Sequence, residues 1–147
     1  MLITQWANRW GVPQAAITEL SALLGAATQP DHQTAAPGSE AAVQNAVRME
    51  AARRGDRYWR NNVGCLVDER GVPVRYGLAN ESAKMNKIVK SSDLIGISSQ
   101  GQFLALEVKR PDWTYRATDR ERAQLAFITF VNSMGGRAAF ISSVEDM

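Results

Sequence analysis

The strongest pattern of apolar positions is a pair of runs rich in branched residues, at 92–97 and 103–109, separated by the loop Ser-Ser-Gln-Gly-Gln. A five-residue loop that carries glycine is a usual length for a β-hairpin, so the pattern predicts two antiparallel strands. If the turn is centred in this loop, Asp93 lies directly opposite Glu107. Lys109 shares their face of the sheet because side chains two residues apart point the same way.

Both faces of the predicted hairpin are otherwise apolar, with Leu94, Leu104, Leu106 and Val108 on one face and Ile95, Ile97, Phe103 and Ala105 on the other. Such strands are usually covered on both sides and central in their sheet. Opposed Asp93 and Glu107 are destabilising unless a pKa shifts or a cation lies between them. A divalent metal is the natural occupant, and a partly solvated salt-bridge cluster with Lys109 is the alternative.

Two helices are predicted from capping signals and apolar spacing. Ser39 is a good N-cap for a helix that runs to Arg54 and is closed by Gly55. Its inner face is predicted to carry Glu40, Val43, Gln44, Val47 and Ala51. Thr118 and Glu121 form a capping-box pattern that begins the second helix. This helix ends before two glycines, and its inner face is predicted to carry Gln124, Phe127, Ile128, Val131 and Met134.

The remaining pattern completes an α/β order of elements. Strands at 57–63 and 72–76 are predicted around a turn, and a loop at 77–92 leads into the hairpin. A last strand at 137–142 is predicted to lie parallel to the strand at 103–109, because a strand-helix-strand crossover is right-handed. The order is helix, three or four strands, helix, strand.

The chain divides into three predicted regions. Residues 1–26 are predicted to form two short helices, at 3–9 and 13–24, with an apolar face of Trp6, Trp10, Ile17, Leu20, Leu23 and Leu24. This helical appendage has few charges, which favours packing or dimerisation over DNA reading. Residues 27–38 have the composition of a linker, and residues 39–147 are predicted to form the main domain.

The composition of the 147 residues, with 45% hydrophobic and 22% charged, is that of a globular protein. No apolar stretch is long enough to span a bilayer, so no membrane association is expected. The chain begins without the basic region and apolar core of a signal peptide. The single Cys65 cannot form an intrachain disulfide, and both features suit a reducing cytoplasm.

Charge is distributed unevenly, although the net charge of +2 is too small to argue for nucleic-acid binding. Between residues 75 and 90, four basic residues stand against one acid, Glu81, which suits a phosphate backbone or a solvated flexible loop. Residues 110–116 interleave arginines with Trp113 and Tyr115. That composition fits phosphates and exposed bases, or a loop whose aromatic rings fold onto the core.

Helices on both sides of the sheet could bring the polar groups of Glu40, the hairpin and Gln124 together. Oxygen donors with no histidine nearby suit a hard cation such as Mg²⁺ or Mn²⁺. The only histidine, His32, falls in the predicted linker. That position argues against histidine-based zinc or acid-base chemistry.

The order of these residues resembles the PD-(D/E)XK nuclease superfamily, in which a helical acid precedes an aspartate and then an acid-x-lysine strand. More narrowly, the chain resembles the VRR-NUC family in its small stand-alone phage and prophage form. The segments that carry this resemblance are Arg60-Asn61-Asn62-Val63-Gly64, Arg75-Tyr76-Gly77-Leu78, Ser92-Asp93-Leu94-Ile95-Gly96, Leu106-Glu107-Val108-Lys109 and Gln124, within about residues 39–143. The resemblance implies a restriction-endonuclease-like αβββαβ core, with a central mixed four-stranded sheet flanked by helices.

The resemblance also implies roles for single residues. The cofactor would be Mg²⁺ or Mn²⁺, held by Asp93, Glu107, the backbone carbonyl of Val108 and, directly or through water, Glu40. Lys109 would orient or deprotonate the attacking water, and Gln124 would position Lys109 or the phosphate. Ser92 stands where the superfamily name has proline, a departure usual in the family.

The activity implied is metal-dependent cleavage of DNA phosphodiesters by an endodeoxyribonuclease. The small members resemble homodimeric junction resolvases, and a symmetric dimer presents two active sites to the opposed strands of a two-fold symmetric junction. We therefore expect a dimeric Holliday (four-way) junction endonuclease of DNA repair or recombination. The alternatives are a less selective duplex or flap endonuclease and a catalytically silent DNA-binding module. The candidate DNA contacts are Arg60, Asn61, Asn62, Lys84, Lys87, Lys90, Arg110, Trp113, Tyr115 and Arg116.

Overall fold

The computed structural model of the chain describes residues 3–28 and 35–147, which form five α-helices, six strands and one 3₁₀ turn. The helices are α1 (Ile3–Trp10), α2 (Gln14–Thr28), α3 (Glu40–Arg54), α4 (Ala83–Ile88) and α5 (Asp119–Ser133). The strands are β1 (Arg57–Arg60), β2 (Gly64–Val67), β3 (Pro73–Tyr76), β4 (Leu94–Ile97), β5 (Phe103–Val108) and β6 (Arg137–Ile141). Within the described residues, no helix is long and apolar enough to cross a membrane.

Four strands form the central sheet in the order β1-β4-β5-β6. Strands β1, β4 and β5 are antiparallel neighbours, and β6 is parallel to β5. The mixed four-stranded sheet predicted from the sequence is therefore confirmed. The hairpin register is confirmed as well, because Ile95 pairs with Ala105 and Ile97 with Phe103.

A helix covers each face of this sheet, as the hairpin pattern predicts. On one face, Val43, Val47 and Ala51 of α3 pack with the leucine and valine face of the hairpin. On the other face, Phe127 and Val131 of α5 pack on Ala105. The prediction for Met134 was wrong: this residue is the C-cap of α5, beyond the last helical turn, and its side chain is exposed.

The predicted helix boundaries are set by the capping groups. The side chain of Ser39 accepts a hydrogen bond from the Ala42 N–H, and Gly55 ends α3 in the left-handed conformation at φ +93°. Thr118 and Glu121 exchange the two reciprocal bonds of a capping box at the start of α5. These bonds satisfy backbone groups that the ends of a helix leave unpaired.

Two predictions in the middle of the chain were wrong. The strand expected over 57–63 ends at Arg60, after which β2 and β3 form a separate two-stranded sheet, here called the side hairpin. The loop expected over 77–92 contains α4, which Ser82 caps. The base of the side hairpin is closely packed, since a Cβ atom on Gly77 (φ +91°) would lie 2.5 Å from the Asn62 carbonyl oxygen.

The chain divides into two compact units, Met1–Asp31 and His32–Met147. In the first unit, α2 runs to Thr28, four residues beyond the predicted end. In the predicted apolar face of this unit, the side chain of Ile17 is buried. The other described side chains of that face are exposed: Trp6, Trp10, Leu20 and Leu23. Residues 29–34 of the predicted linker, including His32, and the side chain of Leu24 lie outside the described part.

Candidate active site

Two carboxylates meet where β4 begins and β5 ends. Asp93 directly precedes β4, and its Oδ2 accepts a hydrogen bond from the backbone N–H of Val108 at 3.0 Å. Glu107 lies in β5 and is only 2% exposed. Both side chains line a cavity of about 260 Å³, here called the carboxylate cavity. The confirmed hairpin register thus produces the pairing of acids that the sequence predicts.

Glu107, Lys109 and Gln124 form a closed hydrogen-bond network. The ammonium nitrogen of Lys109 lies 2.9 Å from Oε1 of Glu107 and 3.1 Å from Oε1 of Gln124. The Gln124 amide nitrogen donates to the same Glu107 oxygen. All three side chains are buried, so each bond satisfies a polar group that is shielded from water. Helix α5 therefore contributes the amide that holds the lysine and the acid of β5 in place.

The electrostatics of Glu107 reflect its burial. Desolvation raises the pKa of Glu107, the nearby Asp93 carboxylate raises it further, and Lys109 offsets only part of the increase, so that the pKa is about 7. Two carboxylates so close together favour a bound cation, because a cation stabilises the ionised form of both.

Two aromatic rings lie close to the ammonium group of Lys109. The ammonium nitrogen of Lys109 lies 5.7 Å from the ring centre of Trp113 and 5.6 Å from that of Phe140, within cation–π range. The Tyr115 ring packs on Phe140 at 5.9 Å. The rings of Trp113 and Tyr115 therefore pack on Phe140, and Tyr115 remains exposed.

The loop that carries Trp113 is anchored by Glu121. This carboxylate accepts hydrogen bonds from the Thr118 and Arg116 backbone N–H groups and from the indole N–H of Trp113. The backbone bond from Thr118 contributes most to lowering the pKa of Glu121, which is about 2. Glu121 thus stays ionised at neutral pH and fixes the aromatic wall beside Lys109.

Glu40 does not line the carboxylate cavity. It is exposed in the first turn of α3 and lines a different cavity together with Arg110, Trp113 and Arg116. Among the described residues, no three acidic, histidine or cysteine side chains form a group that could hold a metal ion. The acidic ligands present in the carboxylate cavity are Asp93 and Glu107.

The other predicted DNA contacts are spread over the surface. Asn61 and Lys90 line the carboxylate cavity, and Lys87 lines an adjoining one. The Asn61 amide nitrogen donates to the Ser91 hydroxyl at 2.8 Å and to the Ser92 carbonyl at 2.9 Å, so this side chain braces the segment before Asp93. Exposed residues make up the rest: Arg60, Asn62, Lys84, Arg110, Tyr115 and Arg116, with Trp113 half-buried.

Several residues that line the carboxylate cavity were not among the predicted site residues, and those with a charged or buried polar side chain include Arg75, Asn80 and Arg120. Arg75 belongs to the basic segment noted in the sequence, and Arg120 follows Asp119 in the first turn of α5. A cation at a helix N-terminus is opposed by the helix dipole. That unfavourable placement was the signal that could have identified Arg120.

The donor set of the carboxylate cavity fits a hard divalent cation. Magnesium is usually bound by one or two carboxylates together with waters and substrate phosphates, and Asp93 and Glu107 supply two. The described residues of the cavity offer no imidazole, since the only histidine is His32. Comparison of the chain with protein-family models, with curated proteins and with solved structures found no match to any of them.

Proposed function

We propose that the protein is a metal-dependent DNA endonuclease of the PD-(D/E)XK type. The observation that carries this proposal is the closed network of Glu107, Lys109 and Gln124, with Asp93 on the neighbouring strand and a cavity in front of the carboxylates. Burying an acid and a lysine together is expensive and adds little stability. Hydrolysis of a phosphodiester gives each of these groups a use.

The side chains divide the chemistry between them. Asp93, Glu107 and the Val108 carbonyl would hold Mg²⁺ or Mn²⁺, which when bound makes water more acidic and offsets negative charge on the phosphate. Lys109 donates hydrogen bonds that place the attacking water and stabilise the charge developing in the transition state. Gln124 keeps the Lys109 ammonium in position, because its amide oxygen accepts one of the ammonium hydrogens.

A nucleic acid is the substrate that suits the surroundings of the site. Basic side chains from three parts of the fold line the carboxylate cavity, namely Arg75, Lys90 and Arg120. The adjoining cavity adds Lys87 and Arg122. Such a surface neutralises phosphates of a DNA backbone. The described part of one chain contains one carboxylate cavity. We therefore propose a homodimer, which presents two such cavities to the two strands that are cut in a four-way junction.

The substrate is tested with labelled four-way junction, flap and plain duplex DNA in Mg²⁺, Mn²⁺ or EDTA. We expect cutting only with metal, and the fastest cutting on the junction. Faster cutting of flap or duplex would contradict junction selectivity and support the less selective endonuclease. Tight junction binding without cutting in either metal would overturn the nuclease proposal in favour of a DNA-binding module.

A further inference from the structure

Three positive side chains converge on the carboxylate cavity, which also contains Asp93 and Glu107. Burial raises the pKa of Glu107, whereas Arg120 acts electrostatically on this carboxylate and lowers its pKa. Arg75 comes from β3, Lys90 from the segment before β4, and Arg120 from α5. Among the residues that the structure describes, none of the three forms a salt bridge within 4.0 Å. Burial, then Arg120 and Arg75, lower the pKa of Lys90, so both arginines repel the Lys90 ammonium group. This repulsion is relieved when an anion lies between them.

The fold holds Arg75 in the cavity through a buried asparagine. Asn80 is 3% exposed, and its amide oxygen accepts a hydrogen bond from Nη1 of Arg75 at 2.9 Å. Its amide nitrogen donates to the backbone carbonyls of Gly64 at 2.7 Å and Tyr76 at 2.8 Å, which uses both of its hydrogens. Asn80 therefore joins the two strands of the side hairpin and directs the guanidinium of Arg75.

The backbone before Asn80 is strained to allow this arrangement. Ala79 has φ +55°, in the left-handed region, which is unfavourable for a residue other than glycine. Such strain persists only where the surrounding structure enforces it. Ala79 directly precedes the buried Asn80, which makes three hydrogen bonds to the side hairpin.

Lys90 and Arg120 are brought together by the packing of α4 against α5. The backbone N–H of Lys90 donates to the Ala123 carbonyl at 3.0 Å, and its ammonium group donates to Oδ1 of Asn86. Arg120 lies one turn before Ala123 on the same helix. An asparagine thus holds Lys90 as another holds Arg75, and both cations line the cavity that contains Asp93 and Glu107.

We infer that Arg75, Lys90 and Arg120 form a phosphate subsite beside the metal-binding carboxylates, with Asn80 as the positioning residue of Arg75. The subsite binds a phosphate of the strand that is cut, and the planar guanidinium groups contact two of its oxygens at once. The inference rests on the proposed function for the identity of the substrate. Its anion binding, however, requires neither metal nor cleavage.

The test titrates inorganic phosphate into the full chain in EDTA and follows the ³¹P line width. We expect Arg75→Ala and Arg120→Ala each to weaken phosphate binding roughly tenfold or more, the usual effect of losing a charged hydrogen bond. The matched control is Arg70→Ala, on the exposed turn of the side hairpin, where Arg70 pairs with Asp68. This control should bind phosphate as the wild type does. Equal binding by all four proteins, or none by the wild type, would overturn the subsite.

The role of Asn80 is tested by non-additivity. We expect Asn80→Ala to bind phosphate as weakly as Arg75→Ala, and the double variant to bind no more weakly than either. If Asn80→Ala does not fold, Asn80→Ser decides, because serine keeps a polar group beside the backbone carbonyls but is too short to hold Arg75 as asparagine does. Phosphate affinity below that of the wild type supports the assignment, and wild-type affinity contradicts it.

The two proposals fail in different ways. Phosphate binding that depends on Arg75 and Arg120, without DNA cleavage in any metal, would support the phosphate subsite and contradict the nuclease proposal. Metal-dependent cleavage at wild-type rates by both arginine variants would support the nuclease proposal and contradict the phosphate subsite.

Discussion

The substitution Lys109→Met is expected to slow DNA cleavage roughly 10²–10⁴-fold, the usual contribution of a positioned proton-transfer or donor group. The ammonium group is fixed 2.9 Å from Glu107 and 3.1 Å from Gln124. In the proposed function this group places the attacking water, and the substitution removes it. Methionine has a similar length and an apolar end that can pack beside the rings of Trp113 and Phe140, so we expect the fold to be kept. The measurement is the single-turnover rate of junction cutting in Mg²⁺.

The matched control for this prediction is Lys84→Met, which removes the same charge from an exposed position on α4. We expect the control to cut bound DNA at the wild-type rate and to weaken binding slightly at low salt. Lys109→Met should bind the junction about as tightly as the wild type. If Lys109→Met cuts at more than about a tenth of the wild-type rate, Lys109 does not have the role assigned to it.

In the metal-free protein, the stability of the variant Glu107→Gln relative to wild type is expected to rise by up to about 3 kcal/mol between pH 4.5 and pH 8, and the variant is expected not to cleave DNA. Burial, with the Asp93 carboxylate, raises the pKa of Glu107 from 4.5 to about 7 in the folded chain. The stabilising contribution of the protonated side chain is therefore fully present below pH 4.5 and is lost as the pH rises through 7. A neutral glutamine does not undergo this loss.

The measurement for Glu107 is urea unfolding of both proteins in EDTA between pH 4.5 and 8.5. The free energy of unfolding of the wild type should fall relative to that of the variant up to about pH 7 and then stay level. Asp68 and Asp146 have lowered pKa values, so their contribution to the free energy of unfolding is lost only at acid pH. This contribution is the same in wild type and variant, and it cancels when the two are compared. Added Mg²⁺ should restore stability to the wild type alone. A difference that shrinks as the pH rises would contradict this account.

The parts of the fold that the sequence predicted are those governed by local rules. Loop length fixes the register of a hairpin, which is why the approach of Asp93 to Glu107 could be foreseen. Capping residues such as Ser39 and Thr118 mark helix ends because they satisfy unpaired backbone groups. Gln124 could be selected because a polar residue on an apolar helix face needs a buried partner.

The parts that the sequence did not predict depend on contacts between distant segments. The ladder of β1 with β4 continues only as far as the bond from the Asn61 N–H to the Asp93 carbonyl. The chain then leaves the central sheet for the side hairpin, a change that no local pattern signals. The side hairpin then brings Arg75 into the carboxylate cavity, and α4 brings Lys90 beside Arg120. Glu40 was placed on the inner face of α3 by helical spacing alone, and the structure leaves it exposed at the end of that helix.

The most direct test of the central claim is cleavage of a labelled four-way junction by protein stripped with EDTA, before and after Mg²⁺ is restored. Asp93→Asn is compared with the wild type, and Asp112→Asn, at an exposed acid paired with Arg110, is the control. The account predicts no cutting in EDTA, cutting by wild type and control when Mg²⁺ returns, and none by Asp93→Asn. Cutting in EDTA, or cutting by Asp93→Asn at the wild-type rate, would contradict it.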